Sequence, residues 1–227
     1  MDSSLLPLFP LKVVLFPGTL LPLHIFEDRY KQLLAECLDQ QFPFGVVLLK
    51  EGYEVGGPAL PHHIGTAARV RTHTVQKDGN LNLVVCGDRR FRIRALDTSL
   101  PYLRGVTEWL DDQPEAHDLS AVAAAARELF QRHVELLFEV INHPAAHLSL
   151  PRSPQALSYF ISARLRISLL EKQELLELTS TEQRLKAVAQ LLVGRNATQE
   201  AFLPLRPSLG PVYSDIAVLL DAYLSNN

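Results

Sequence analysis

The chain has 227 residues, a formal charge of −3 and a hydrophobic fraction of 47%. A chain of this length buries enough apolar surface to fold without disulfides or metals, and its slight acidity argues against a dedicated nucleic-acid binder. We expect no signal peptide, because residue 2 is Asp and a basic region is missing there. The apolar run of residues 13–26 falls short of the roughly 20 residues of a membrane helix, and two cysteines fit a reducing compartment. We therefore expect a cytoplasmic protein without membrane contact.

The stretch LFPLKVVLFPGTLLPLHIFEDRY, residues 8–30, is strongly hydrophobic yet contains three prolines. Proline cannot donate a backbone hydrogen bond, so prolines belong at strand ends and sheet edges. Pro17-Gly18 is a favourable turn dipeptide. We interpret the stretch as two short strands joined by this turn, at 12–16 and 20–25.

Apolar residues at helical spacing then predict a helix over 27–39, with Phe26 and Leu33 in the core. Asp78-Gly79 predicts a hairpin turn, because glycine adopts positive φ without steric cost. The remaining segments rich in β-branched and aromatic residues predict strands at 44–50, 65–76, 81–86, 89–97 and 102–110.

Helical periodicity dominates after residue 112. Ser168 with Glu171 and Ser180 with Gln183 have the spacing of capping boxes, and Gly194 is expected to end the last helix. The predicted helices are 120–142, 154–165, 169–178 and 181–193, which would form an antiparallel bundle. We divide the chain into a β-rich part (1–112), a helical bundle (113–195) and a tail with an amphipathic helix (196–227).

Several quoted segments together resemble the N-terminal domain of Lon protease, also called the LON substrate-binding domain. They are LPLFPLKVVLFPGTLLPLHIFEDRYKQLL, FGVVLLKEGYEVGGPALPHHIGTAARV, GDRRFRI, YLRGVTEWL and LSYFISARLRISLLEKQELLELTSTEQRLKAVAQLL. Phe44-Gly45, Gly52 and Gly65-Thr66 match the family's pattern, and the resemblance covers residues 5–194. It implies an α+β fold, with a PUA-like β pseudo-barrel containing one helix followed by a C-terminal helical bundle.

Full-length Lon carries an ATPase module and a Ser-Lys protease module after this domain. The sequence contains no G-x-x-x-x-G-K-[ST] motif to hold nucleotide phosphates. Lys77 is not expected to be the lysine of a Ser-Lys protease site, because it lies in the predicted hairpin turn and no serine in a suitable context is nearby. We therefore expect a stand-alone, non-catalytic member of the family that uses no cofactor.

The segment GDRRFRIRAL carries the clearest charge pattern. In a strand, Arg90, Arg92 and Arg94 would share one face, and Arg69 and Arg71 could add to it from a neighbouring strand. Two interpretations remain open. The row either binds RNA or an acidic peptide, or it is a solvated face whose arginines pair with acids, and we favour the solvated face.

The histidines and cysteines do not predict a metal site or a nucleophile. His62 and His63 are adjacent, so on an extended segment their side chains point apart. Cys37 lies on the apolar stripe of its helix, which favours a small buried hydrophobic residue.

Two functions from different classes compete. The first is a protein-binding module for peptides or unfolded segments, with a role as an adaptor in protein quality control, and with Phe16 and Leu20 as contacts if they are exposed. The alternative is a PUA-like RNA-binding module, which the acidic composition disfavours. The amphipathic tail has two interpretations: it folds back on its own bundle, which we favour, or it docks on a partner or on a second copy as a homodimer contact.

Overall fold

The structure is a computed structural model that describes residues 4–54, 56–57, 59–140 and 148–204. The chain divides into two compact units, Met1–Asp111 with Arg166–Thr179, and Asp112–Leu165 with Ser180–Asn227. The elements in chain order are β1 (Ser4–Leu11), β2 (Leu20–Ile25), α1 (Asp28–Asp39), β3 (Phe44–Gly52), β4 (Ala59–Val75), β5 (Leu81–Asp97), β6 (Arg104–Trp109), α2 (Ser120–Val140), α3 (Pro154–Arg164), α4 (Leu169–Glu177) and α5 (Thr181–Phe202).

The first unit is built on a mixed six-stranded sheet with strand order β2-β5-β4-β3-β1-β6. β1 is parallel to β3, and the other pairings are antiparallel. An additional pairing of β5 with β6 connects β5, β4, β3, β1 and β6 into a ring of strands. The expected β-rich part with one helix between its strands is therefore present, while the description as a PUA-like pseudo-barrel stays a prediction.

The first strand differs from the prediction. Residues 12–16 form no strand, and β1 instead spans the preceding eight residues, including Pro7 and Pro10. Ser4–Pro7 pair with β6 and Leu8–Leu11 pair with β3, so each half of β1 has one partner strand. A proline costs no ladder bond where its nitrogen faces the unpaired side.

β2 lies at one end of the sheet and pairs with β5, with Pro22 opposite Val84. The backbone N of Gly87 donates to Thr19 O at 2.9 Å. Hydrogen-bonded and non-bonded pairs alternate in an antiparallel ladder, so the backbone groups of Pro22 point away from β5. Pro22 thus blunts an open edge, as expected for a proline inside a strand.

α1 begins and ends close to its predicted bounds and packs on the sheet. Leu33 and Leu34 are buried together with Tyr30 and Cys37, in one core cluster with residues of β1, β3 and β5. The prediction that Phe26 is a core residue is wrong. Its side chain is 48% exposed, because it precedes α1 and stacks on His24, with ring centroids 6.1 Å apart.

The second unit contains α2, α3 and α5, and α5 packs against both of the others. Phe130 and Phe160 meet edge to face, with ring centroids 6.1 Å apart. Arg184 is fully buried and forms an ion pair with Asp112. Because α4 belongs to the sheet unit, the expected bundle of four successive helices is not confirmed.

The predicted helix caps are present, but α5 is longer than expected. Ser168 and Glu171 form the reciprocal capping box, and the side chain of Ser180 accepts from Gln183 N. α5 does not end at Gly194 but continues to Phe202. Within the described residues, no helix is long and apolar enough to cross a membrane. The amphipathic helix predicted in the tail, and with it the homodimer contact, lies outside the described residues.

The substitution Gly194→Ala tests the continuity of α5. A Cβ at Gly194 would have no heavy atom within 4 Å. We expect the substitution to raise the free energy of unfolding by about 0.5–1 kcal/mol, because alanine loses less backbone entropy in a helix. Denaturant titration followed by circular dichroism measures the change. Gly79→Ala is the control and should destabilise, because Gly79 has a φ of +78°. A destabilised Gly194→Ala variant would instead indicate a helix end at this position.

Candidate functional site

The arginine row on β5 does not form one exposed face. Arg90 is buried, with 2% of its surface exposed. Its Nη1 donates to Leu176 O at 2.5 Å and to Leu178 O at 2.6 Å. These carbonyls lie at the C-terminal end of α4, where a helix leaves its last carbonyls without intrahelical partners. Arg90 therefore attaches α4 to the sheet, and it is not available on the surface as the sequence suggested.

The other two arginines of the row are paired with an acid on β6. Arg94 Nη2 donates to Glu108 Oε1 at 2.5 Å, and Arg92 Nε lies 3.8 Å from the same oxygen. A register shift between Ile93 and Ala95 also interrupts the regular alternation of this strand. The placement of Arg92 and Arg94 corresponds to the alternative of a solvated face with paired charges.

The two apolar candidates lie in different environments. Phe16 is fully buried, so its ring cannot contact a ligand at the surface. A buried loop and a buried strand are equally hydrophobic, so residue type alone does not separate them at this point. Leu20 is half-buried at the start of β2, and its backbone pairs with Cys86 of β5. Neither residue lies in the groove described next.

A surface groove opens where β4 extends past the beginning of β3. Phe44 of β3 pairs with Ala68 of β4, and β4 then continues to Val75 with β5 as its partner. Beside this extension lie the last turn of α1 and the loop that leads to β3. The groove has a volume of about 440 Å³ and is named here the β4 groove; its lining residues are Cys37, Leu38, Gln41, Phe42, Arg69, Val70, Arg71 and His73.

The β4 groove combines apolar surface with positive charge. Phe42 is 40% exposed although it is a large aromatic residue. Arg69 Nε donates to Asp88 Oδ2 at 2.8 Å, whereas the side chains of Arg71 and His73 are exposed and bond to no other described residue. None of the described lining residues is a carboxylate. The groove can therefore accept an apolar side chain next to an acidic one.

Cys37 at the groove does not supply a nucleophile. Its side chain is buried, and burial raises the pKa of the thiol to about 12. The thiol stays protonated at neutral pH, and the thiolate is the reactive form of cysteine. The residue acts as a small apolar group, in line with the prediction from its helical stripe.

Two further grooves lie in the same unit. One, of about 380 Å³, is lined by neutral side chains of β2, β4 and β5, including Pro22 and Thr72, together with His24 and His73. The other, of about 340 Å³, contains Tyr30 and Tyr102, and burial raises the pKa of each phenol to about 12. In the part of the chain that the structure describes, no three metal-ligating side chains are placed to hold an ion.

Sequence reasoning identified Arg69 and Arg71 but missed Phe42. Phe42 follows the end of α1 and precedes Pro43 and β3, so neither helical nor strand periodicity applies to it. The available signal was an aromatic residue in a short connection between two elements. Its exposure depends on the length of β4, which the sequence placed at 65–76 and the structure places at Ala59–Val75.

Comparison with known proteins identifies the same family that the sequence motifs resemble. Residues 5–194 match the profile of the ATP-dependent protease La (LON) substrate-binding domain. The Lon protease of Anaeromyxobacter dehalogenans is 32% identical over 196 residues, and Lon protease 2 of Myxococcus xanthus is 30% identical over 196 residues. In both cases the match covers 83% of this chain and 23% of the relative. The chain thus spans about a quarter of the length of these relatives.

Two solved structures share the fold. The crystal structure of a Lon N-terminal domain protein from Xanthomonas campestris matches with a TM-score of 0.60 and 25% identity, covering 84% of this chain and 98% of that one. The N-terminal domain of the Mycobacterium avium complex Lon protease matches with a TM-score of 0.57 and 18% identity, covering 86% and 98%. The second likeness concerns the fold alone.

Substitution of the arginines on β5 separates the buried one from the exposed ones. We expect Arg90→Ala to lower the free energy of unfolding by about 2–4 kcal/mol, because it leaves the buried carbonyl of Leu176 and the half-buried carbonyl of Leu178 without this donor. Arg94→Ala, which removes an exposed ion pair, should change it by less than about 0.5 kcal/mol. Thermal and denaturant unfolding of both variants measure the difference, and equal effects would refute the distinct role of Arg90.

Proposed function

Since the chain belongs to the family of the LON substrate-binding domain, we propose that it binds protein substrates as unfolded or extended segments at the β4 groove. The match to this family over residues 5–194 is the observation that carries the proposal. The groove adds a physical basis, because it places the exposed ring of Phe42 beside the exposed guanidinium of Arg71. Exposed aromatic and arginine side chains are enriched among residues that dominate binding energy.

The proposal includes a non-catalytic role, as an adaptor in protein quality control within the cytoplasm. Its support is that the match concerns the substrate-binding part of Lon and that the buried thiol of Cys37 is unreactive. A module that holds an unfolded segment without modifying it can present that segment to another protein. The partner of this module would be the protein that receives the presented segments.

RNA binding is the weaker alternative. It comes from the analogy with the PUA fold, and the arginines were its candidate surface. Arg90 donates to α4, Arg92 and Arg94 share Glu108, and Arg69 pairs with Asp88. A polyanion would have to displace these four sets of partners, and phosphate contacts are what supply affinity for nucleic acids. The paired charges therefore favour a protein ligand.

The substitution Phe42→Ser tests the proposed site. We expect it to weaken the binding of a fluorescently labelled, reduced and carboxymethylated protein by about tenfold, because it removes the apolar contact of the groove. Leu170→Ser is the matched control: Leu170 is also in the first unit and is 61% exposed, but it does not line the β4 groove. Fluorescence anisotropy measures both affinities, and thermal unfolding shows that both variants remain folded.

Equal losses in the two variants would contradict the assignment of the site. If the wild-type chain bound no unfolded protein but bound a single-stranded oligonucleotide with strong salt dependence, the proposed function itself would be wrong, and the RNA-binding alternative would replace it.

A further inference from the structure

The side of β4 that faces the β4 groove is an open strand edge. Beyond Ala68, no described strand pairs with this side of β4, and no backbone hydrogen bond outside the strand ladders involves residues 69–75. Seven extended residues span about 23 Å. This edge is long enough for a ligand of six or seven residues.

The ladder with β5 determines which backbone groups point into the groove. Gln76 N donates to Asn80 O at 2.8 Å, and the register continues with Val75 opposite Leu81 and His73 opposite Leu83. Since bonded and non-bonded pairs alternate, the N–H and C=O groups of His73 and Val75 point away from β5. They are free to pair with an added strand.

The edge lacks the proline of β2, and the features that hinder strand pairing, a β-bulge and two arginines, are confined to its first three residues, 69–71. Pro22 removes a donor from the open edge of β2, whereas residues 69–75 contain neither proline nor glycine. They include Thr72, Thr74 and Val75, which favour extended backbone. A register shift between Val70 and Thr72 places Arg71 as an extra residue there, and Arg71 lines the groove. An open edge of this kind is a template for another extended chain.

The side chains along this edge favour a ligand with carboxylates. Arg71 and His73 are exposed without a partner among the described residues, and Lys77 lies exposed in the adjoining hairpin turn. Phe42, which lines the same groove, supplies an apolar contact. Alternate residues of an added strand point to opposite faces, so an acidic residue and an apolar residue can be accommodated in turn.

We propose that the β4 groove takes an extended, acidic polypeptide segment as an additional strand along residues 69–75, paired through the backbone of His73 and Val75. This rests on the proposed function and states how its ligand is held. Main-chain hydrogen bonds supply affinity in such strand addition, and the side-chain contacts supply the preference. The basic lining repels segments rich in lysine or arginine.

The comparison of His73→Pro with His73→Ala tests strand addition. Proline removes the N–H that points into the groove and leaves the bonds to β5 in place, whereas alanine keeps the N–H and removes the imidazole. The probe is a short labelled peptide that alternates valine and glutamate. We expect its affinity to fall by about tenfold or more in His73→Pro and by less than about threefold in His73→Ala. Equal losses would overturn strand addition.

A second experiment changes the peptide and leaves the protein unchanged. N-methylation of every second residue removes the donors on one side of the peptide, and one of the two methylation registers should abolish binding to the wild-type chain while the other leaves it within about threefold. Replacement of glutamate by lysine should abolish binding. Equal affinity of both methylation registers, or of the lysine peptide, would overturn the proposal.

Failure of this inference can be told from failure of the proposed function. If unfolded carboxymethylated protein binds wild type and His73→Pro equally, the module binds substrates by side-chain contacts and strand addition is wrong. If unfolded protein does not bind wild type at all, the proposed function is wrong as well. A doubled mass of the wild-type chain in light scattering that His73→Pro returns to the mass of one chain would assign the edge to a second copy and overturn the proposal.

Discussion

The ring of Phe91 lies so close to Gly45 and Gly65 that neither position can carry a side chain. A Cβ at Gly45 would stand 2.5 Å from Phe91 Cζ, and one at Gly65 would stand 2.9 Å from that atom and 2.5 Å from Val46 O. Interiors packed at this density tolerate no added carbon without displacement. The contact joins β3, β4 and β5 in one register, in which β3 begins at Phe44 and β4 extends seven residues beyond Ala68. The two glycines that match the family's pattern in the sequence thus have a physical reason in the packing of the core.

The arginines fall into two groups: buried ones that stabilise the fold through hydrogen bonds, and exposed ones that a ligand can contact. Arg90 is bonded to the carbonyls at the end of α4, and in the other unit Arg184 donates to Ser158 Oγ at 2.8 Å and is paired with Asp112. A buried charge of this kind is stable when its donors are satisfied, and it costs several kcal/mol when a partner is removed. Residue type and spacing on a strand do not reveal this division. Arg71, the extra residue at a register shift of β4, remains exposed.

Local signals in the sequence predicted local structure well. The bounds of α1, the caps at Ser168 and Ser180 and the hairpin at Asp78-Gly79 follow from interactions within a few residues, and the structure confirms them. The failures concern long-range packing. Residues 12–16 look like a strand because Val14 and its neighbours are buried, and Gly194 looks like a helix end although nothing near it prevents continuation. The groove exists because β3 begins at Phe44 while β4 continues beyond Ala68. The residue pattern within a single strand does not predict this offset between two strands.

Two strand edges of the sheet, at β2 and at the end of β4, differ in how open they are to a further strand. At β2, Pro22 has no backbone N–H to donate at the open edge, and the strand is only six residues long. At β4, the groups of His73 and Val75 remain unpaired in the described structure, next to a groove that excludes neither an apolar nor an acidic side chain. Every polypeptide carries the main-chain groups that such an edge can pair with, but a folded protein has already paired most of them internally. An edge that recognises main-chain groups therefore distinguishes substrates first by whether they are folded and only second by charge.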